Sequence, residues 1–578
     1  MEVGISTSVD IICRALEGKG EVGIEELARV SGITVAEALK QCSSLEDAGL
    51  VEVKKGLGKV LVSLKKPVQE EFIPKIEGNV IDKYELELHS VPASVRILDV
   101  KEDPLPIYEM KSVALGPYTS EYLGHLREII AQRIALEPSE IIDQRKASLI
   151  EDRFYRACVK LVGEAFPRFD EKTAKIVGGI LLHDVYGLGR IEMLMSDDLL
   201  EEIVINGSYE PIVVYHKKHG WLKTNVLFKG EEEIYNIATQ IGRKAGKEIN
   251  VMNPIMDAHL PSGDRVNATL FPVSAYGDTI TIRRFVREPW TIVDFIDDSL
   301  KTMSVDMAAF LWEAMQYEMN MLVVGGTASG KTSTLNTLCA LIPPANRIIT
   351  IEDTREINLP QYLKYNWVPL ITRGASIEGK GKVDMLDLMV SSLRMRPDRV
   401  IVGEVRRREE AEVLFEAMHT GHAVYSTIHA DTGDQVMRRL INPPFAIPNT
   451  ELESLHLIVV MYRDRKTGKR RVYEIDEVNL GAGGEINLNR IYRWRVRTDE
   501  FEKIGESTRV FSELSLHAGM SIDEIVEDID NKAKVLEWMK KNKVRSIDKI
   551  GSVMAVFYKN PQKVILAAEK NVKPESIL

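Results

Sequence analysis

Cysteine is scarce: the 578 residues hold four, at Cys13, Cys42, Cys158 and Cys339, with no CxxC pair among them. That excludes a disulfide framework and a cysteine-held zinc ion, and it fits a reducing cytosol. Long apolar runs are missing as well. No stretch reaches the roughly 18 to 20 consecutive apolar residues of a membrane-spanning helix, and the acidic, weakly apolar start lacks a signal-peptide pattern. Any membrane association is therefore expected to run through a partner. A basic excess is also absent, with 75 Lys and Arg against 86 Asp and Glu and a net charge of -11. Such a balance argues against a surface that tracks nucleic acid throughout, although it leaves room for a local basic groove. What is there, 44% hydrophobic and 28% charged residues, is ample for packed cores. The length exceeds what one core fills, and ordinary domain sizes give about three to five units.

Residues 1–66 alternate helical and strand patterns, with Gly32 and Gly49 at expected helix ends and a terminal hairpin turning at Gly56 and Gly58. The order is that of a winged helix-turn-helix. Its second helix, Val35 to Asp47, carries Glu37, Glu46 and Asp47 against a single Lys40. That is the wrong sign for an element facing phosphates, so a docking module is expected rather than a DNA reader. Residues 67–150 form a variable region punctuated by Pro67, Pro74, Pro92, Pro104, Pro106 and Pro117. A helical stretch from about Ile141 to His183 then leads into an α/β domain over 151–286. It contains the strand patterns RVNATLFP and DTITIRRF, and REPWT at 287–291 reads as an interdomain linker. From 292 to 480 strands and helices alternate, which predicts a parallel sheet covered on both faces. Residues 481–578 read as a β/helical extension whose tail has apolar positions at helical spacing.

The phosphate chemistry starts at GGTASGKT, residues Gly325, Gly326, Thr327, Ala328, Ser329, Gly330, Lys331 and Thr332, with a buried strand before it and a helix after it. In a G-x-x-x-x-G-K-T loop the glycines let backbone N–H groups turn toward phosphates. The lysine reaches the terminal phosphates and the threonine hydroxyl can ligate magnesium. ATP and Mg2+ are the expected ligands. Three further apolar runs end in residues fit for phosphoryl transfer: RIITI at Glu352 and Asp353, VIV at Gly403 and Glu404, and AVYSTI at His429. Ligands of open parallel sheets bind beyond the strands' carboxyl ends, so these residues are expected to gather around the loop. Asp398 and His422 stand at the other ends of their strands, about 16 Å and about 20 Å away, and are read as structural. One carboxylate should orient the attacking water while another holds hydrated magnesium. The water is assigned to Glu352 and the metal shell, with Thr332, to Glu404; the exchanged assignment is the alternative.

These boxes resemble those of the type II/type IV secretion-type ATPases, the motors of pili, archaella and secretion pseudopili. GGTASGKT is similar to the family's Walker A box, TIEDTREI to its Asp box, LRMRPDRVIVGEVR to its atypical Walker B box and TGHAVYSTIHADT to its His box. The resemblance spans about 150–480, and its wording is closest to the archaeal branch. The chain lacks the tetracysteine metal subdomain of bacterial type II members, and its front module differs from the short helical start of archaellum motors.

The resemblance implies an α/β fold with a RecA-like P-loop ATPase domain, preceded by an α/β domain and the winged-helix-like module. It also implies a homohexamer, cytoplasmic and peripheral to the membrane, acting on a polytopic membrane platform protein during filament assembly. Arg265 and Arg283 match family positions that reach the nucleotide on domain closure. In DTITIRRF, Arg283 shares the face of Thr281 and not that of Ile280 and Ile282. Arg284 is a weaker candidate, and Arg406 could face a neighbouring subunit. The rival class is a nucleic-acid translocating ring.

Overall fold

The structure, a computed structural model, describes residues 4–56, 59–65, 67–68, 76–134, 147–260, 262–285, 288–374, 381–481 and 484–578. Gly58 of the expected hairpin turn, Lys66, Pro74, Ile141 at the expected helix start, Pro261 of the PSGD turn and Arg287 lie outside the described residues. The chain forms two compact units, Met1–Phe285 and Val286–Leu578.

The first unit begins with helices Ser8–Leu16, Ile24–Ser31 and Val35–Asp47. Thr7 and Thr34 cap two of them with reciprocal hydrogen bonds, and Gly32 ends the third in the left-handed conformation at φ 67°. The hairpin strands Val51–Gly56 and Lys59–Leu64 pair antiparallel, and Val22–Gly23 adds to the second of them. This module does not close on itself. Its buried Val9, Ile12, Leu16, Leu27 and Leu45 share one core with helices Pro117–Arg133, Ala147–Ala165 and Glu171–Val185. The carboxylate of Asp10, fully buried, accepts hydrogen bonds from the backbone N–H of Tyr118 and Thr119 at 3.0 and 3.1 Å. The helical stretch expected from 141 to 183 is two helices, divided around Pro167 and restarted by the Asp170 cap.

A nine-stranded sheet fills the rest of the unit. Its spatial order is Ile255–His259, Arg265–Thr269, Thr279–Arg283, Leu200–Asn206, Val213–His216, Gly220–Thr224, Ile107–Ser112, Val91–Asp99, Asn79–Leu88. The pairing Lys223↔Ile107 and Thr224↔Tyr108 carries it across the division expected at 150/151. Strands before and after that point satisfy one another's backbone groups, so they belong to one domain.

In the second unit the parallel strands run in the order Trp367–Ile371, Ile348–Glu352, Arg399–Val402, Ala423–Ile428, Met321–Gly325, Leu457–Arg463. Four of these strands are buried along their whole length, as continuous apolar runs between two helical layers should be. The sheet does not stop at 480. Arg470–Leu480, Ile486–Arg495 and Glu500–Lys503 extend it antiparallel, so the division expected at 480/481 falls inside one sheet. Trp290 and Thr291, from the expected linker, are built into this unit as well: the Thr337 hydroxyl donates to the Trp290 carbonyl at 2.8 Å, and Thr291 caps helix Ile292–Ile296.

The tail helices Ile522–Lys541, Ile547–Lys559 and Pro561–Glu569 pack into the core on one face of that sheet. Their polar anchor is Lys532, fully buried and paired with Glu313 and, at 2.8 Å, with Asp528. Burial pushes the Glu313 carboxyl up to about 7 against the opposing pull of Lys532.

Candidate functional site

The loop Gly325–Thr332 leaves a buried strand and opens helix Lys331–Cys339. Its backbone is one that few side chains tolerate. A Cβ at Gly325 would stand 2.5 Å from the Met461 carbonyl oxygen, Gly330 sits at φ 95°, and Ala328 is itself left-handed at φ 58°. The Ser329 hydroxyl donates to the Gly326 carbonyl at 2.9 Å and ties the turn shut. Thr327 lies in the same turn, and Thr332 is the second residue of the helix.

Lys331 donates to the carbonyls of Gly325 and Gly326 at 3.0 and 3.1 Å and approaches His429 Nδ1 at 3.4 Å. An ammonium has only donors, so Nδ1 accepts and the imidazole proton of the neutral ring stands on Nε2. That nitrogen faces Glu404 Oε1 at 3.0 Å. The other Glu404 oxygen accepts from Arg406 at 2.6 Å, and Arg406 also reaches Asp353 at 2.9 Å. Lys331, His429, Glu404, Arg406 and Asp353 thus form one continuous polar chain. Burial lowers the Lys331 pKa, with Glu404, Glu356 and Asp431 opposing. Burial and then the Lys331 charge lower that of His429.

Glu352 ends its strand 2% exposed, beside this chain: a Cβ on Gly403 would lie 3.4 Å from its Cγ. One carboxyl oxygen accepts from the backbone N–H of Glu356 and Ile357 at 2.8 and 3.0 Å, while the other, Oε2, is buried with no partner among the described residues. Burial pushes this carboxyl up to about 8, and the two backbone donors pull only partly against it. A deeply buried, half-satisfied carboxyl beside Gly403, the neighbour of Glu404, marks a functional site more than a stabilising contact.

The strand ends therefore bring Lys331, His429 and Glu404 into contact and set Glu352 on the same sheet edge, beside Gly403. Asp398 lies at the opposite end of its strand, accepting from the Arg347 N–H at 2.5 Å, and His422 lies 3.3 Å from the Ala417 carbonyl at a helix end. Arg265 and Arg283 belong to the first unit, where they stand opposite one another on neighbouring strands. Arg265 is forked on Asp257 at 3.0 and 2.7 Å, and Arg283 pairs in register with Glu202. Arg284 is buried on Asp264 and on the carbonyls of Leu194 and Asp197, a structural tie that removes it as a candidate.

The sequence reading missed Asp431, whose carboxylate lies 3.1 Å from where a Gly326 Cβ would stand, and Arg470, whose Nε donates to the Ala328 carbonyl at 3.1 Å. Asp431 had a signal, two residues beyond His429. Arg470 had none, because its approach depends on an antiparallel strand pairing. Among the described residues no three His, Cys, Asp or Glu side chains are grouped to hold a metal ion. The hard oxygens of Thr332 and Glu404 suit magnesium that completes its shell with water and nucleotide phosphate.

A family model described as type II/IV secretion system protein matches residues 186–490. A protein of Methanocaldococcus jannaschii, itself uncharacterized, is 30% identical over 522 residues, 86% of this chain and 91% of its own length. A second from the same organism is 41% identical over 357 residues, 60% of this chain but 46% of its own length. The type IV secretion system protein PtlH of Bordetella pertussis is 31% identical over 295 residues, 45% of this chain and 86% of its own.

Proposed function

The chain belongs to the type II/IV secretion system protein family, and from that premise we propose that it is an ATPase motor of a pilus-type or secretion machine. The observation that carries the reading is the polar chain that runs from Lys331, held on the loop carbonyls of Gly325 and Gly326, to His429 at 3.4 Å and on to Glu404 at 3.0 Å. Phosphoryl transfer asks the protein mainly for position and charge. Lys331 exchanges the loop carbonyls it now holds for phosphate oxygens, and the backbone N–H groups of Thr327–Thr332 hold the rest of the triphosphate. Thr332 and Glu404 would hold magnesium, which would supply positive charge to the phosphates. Glu352 orients the attacking water, and His429 transmits the state of Lys331 to Glu404.

In the same reading Arg265 and Arg283 supply positive charge to the transferred phosphoryl group on closure, an effect worth about 10³ to 10⁵ in rate for such arginines. The N-terminal module is a winged helix serving as a docking element. The working form is a hexamer, cytoplasmic, held at the membrane by a polytopic platform protein and driving filament assembly.

The test is ATP turnover by the purified full chain. Hydrolysis should require Mg2+, falling to background in excess EDTA and returning with added Mg2+, and it should not respond to single- or double-stranded DNA at low salt, where phosphate contacts are most visible. No turnover under any of these conditions would remove the motor reading. Strong stimulation by DNA would replace it with the translocase.

A further inference from the structure

Arg470 begins strand Arg470–Leu480 at the end of a basic hairpin, in register with Arg463 on the strand beside the loop. Its two chain neighbours are taken up by an acid: Arg471 by Asp499 at 2.8 Å, and Lys469 by the same carboxylate at 3.2 Å. Arg470 has no carboxylate among the described residues. It is half-buried, and the one side-chain hydrogen bond it makes to a described residue is Nε to the Ala328 carbonyl. Its Cδ lies 3.4 Å from where a Gly330 Cβ would be, so the side chain packs along the outer wall of the loop. The residue it holds is the strained one. Ala328, at φ 58°, is the non-glycine in the loop with a left-handed backbone, a conformation that a Cβ disfavours.

We propose that Arg470 is a positioning residue for the phosphate loop: it pins the Ala328 carbonyl, and so keeps the flanking N–H groups turned toward the phosphates before nucleotide arrives. The proposal rests on the nucleotide-binding reading above. The pinned conformation is the one the nucleotide needs, so losing the pin makes binding bear the full cost of left-handed alanine. Glycine at 328 has no such cost, and with it the pin becomes dispensable.

The experiment is calorimetric titration of the full chain with MgADP, alongside ATP turnover. Arg470→Ala and Arg470→Gln should each weaken MgADP about tenfold and raise KM for ATP similarly, with kcat within about twofold. Ala328→Gly combined with Arg470→Ala should bind within about threefold of wild type, which a general loss of fold stability would not produce. Wild-type affinity in both single Arg470 variants overturns the proposal. So does failure of Ala328→Gly to rescue, which would assign Arg470 to the nucleotide itself. If wild type binds no MgADP at all, the nucleotide reading falls first and this proposal with it.

Discussion

Lys331→Ala should lower ATP turnover by about 10³-fold or more, with MgADP binding weakened in parallel and thermal stability nearly unchanged. The lysine is the one loop side chain whose charge enters the site: it is 9% exposed and its ammonium lies within 3.4 Å of two loop carbonyls and His429. A positioned donor in a water-poor phosphate site is worth about 10² to 10³ alone, and a lysine adds a full charge against the triphosphate. The fold has no comparable need of it, since desolvation already disfavours its charged form. A second readout separates lost charge from lost shape. Lys331 is among the causes that hold the His429 pKa below its ordinary value, so removing it should let the imidazole protonate at higher pH. NMR titration of His429 would show the upward move. Turnover near wild type would mean that the loop holds something other than a nucleotide's phosphates, and a His429 titration that does not change would mean that the Lys331 charge does not act on the imidazole.

The site was legible in the sequence where geometry is local. A glycine-rich turn between strand and helix and apolar runs ending in Glu352, Glu404 and His429 determine a shared edge, because parallel strands present their carboxyl ends together. The same reasoning placed Asp398 and His422 at the far ends, where they lie. What the sequence hid was long-range pairing. Nothing in Ile107–Ser112 or Gly220–Thr224 says that the two pair in parallel, so the front region read as a separate piece. The antiparallel continuation through Arg470–Leu480 hid Arg470 for the same reason, and it placed a domain division inside a sheet. Side-chain bonding was equally out of reach: Arg284 on Asp264 and Arg406 between Glu404 and Asp353 depend on contacts across 20 and up to 53 residues of chain.

Glu352→Gln should slow hydrolysis about 10²- to 10³-fold while leaving ATP affinity within about threefold of wild type, the signature of a group that acts on the attacking water and not on binding. The substitution is close to isosteric with the protonated acid. The amide oxygen can keep the two N–H bonds from Glu356 and Ile357, and the amide nitrogen takes the place of Oε2, which has no partner among the described residues in any case. Two pH dependences follow from a carboxyl pushed up to about 8 chiefly by burial. As a base, Glu352 works only when ionised, so wild-type kcat/KM should rise about tenfold per pH unit below about 8 and level above it, and the glutamine variant should lose that slope. As a buried group, it binds its proton more tightly folded than unfolded. Its contribution to stability is therefore complete below the ordinary glutamate value near 4.5 and is lost as pH rises through about 8. Glutamine has no proton to lose, so the variant's Tm advantage should grow between pH 5 and 8 and then stay constant. A variant that binds ATP normally, hydrolyses it at the wild-type rate and shows an unchanged pH profile would transfer the water to Glu404. A Tm difference constant across that range would mean that Glu352 ionises in the folded protein as readily as in the unfolded chain.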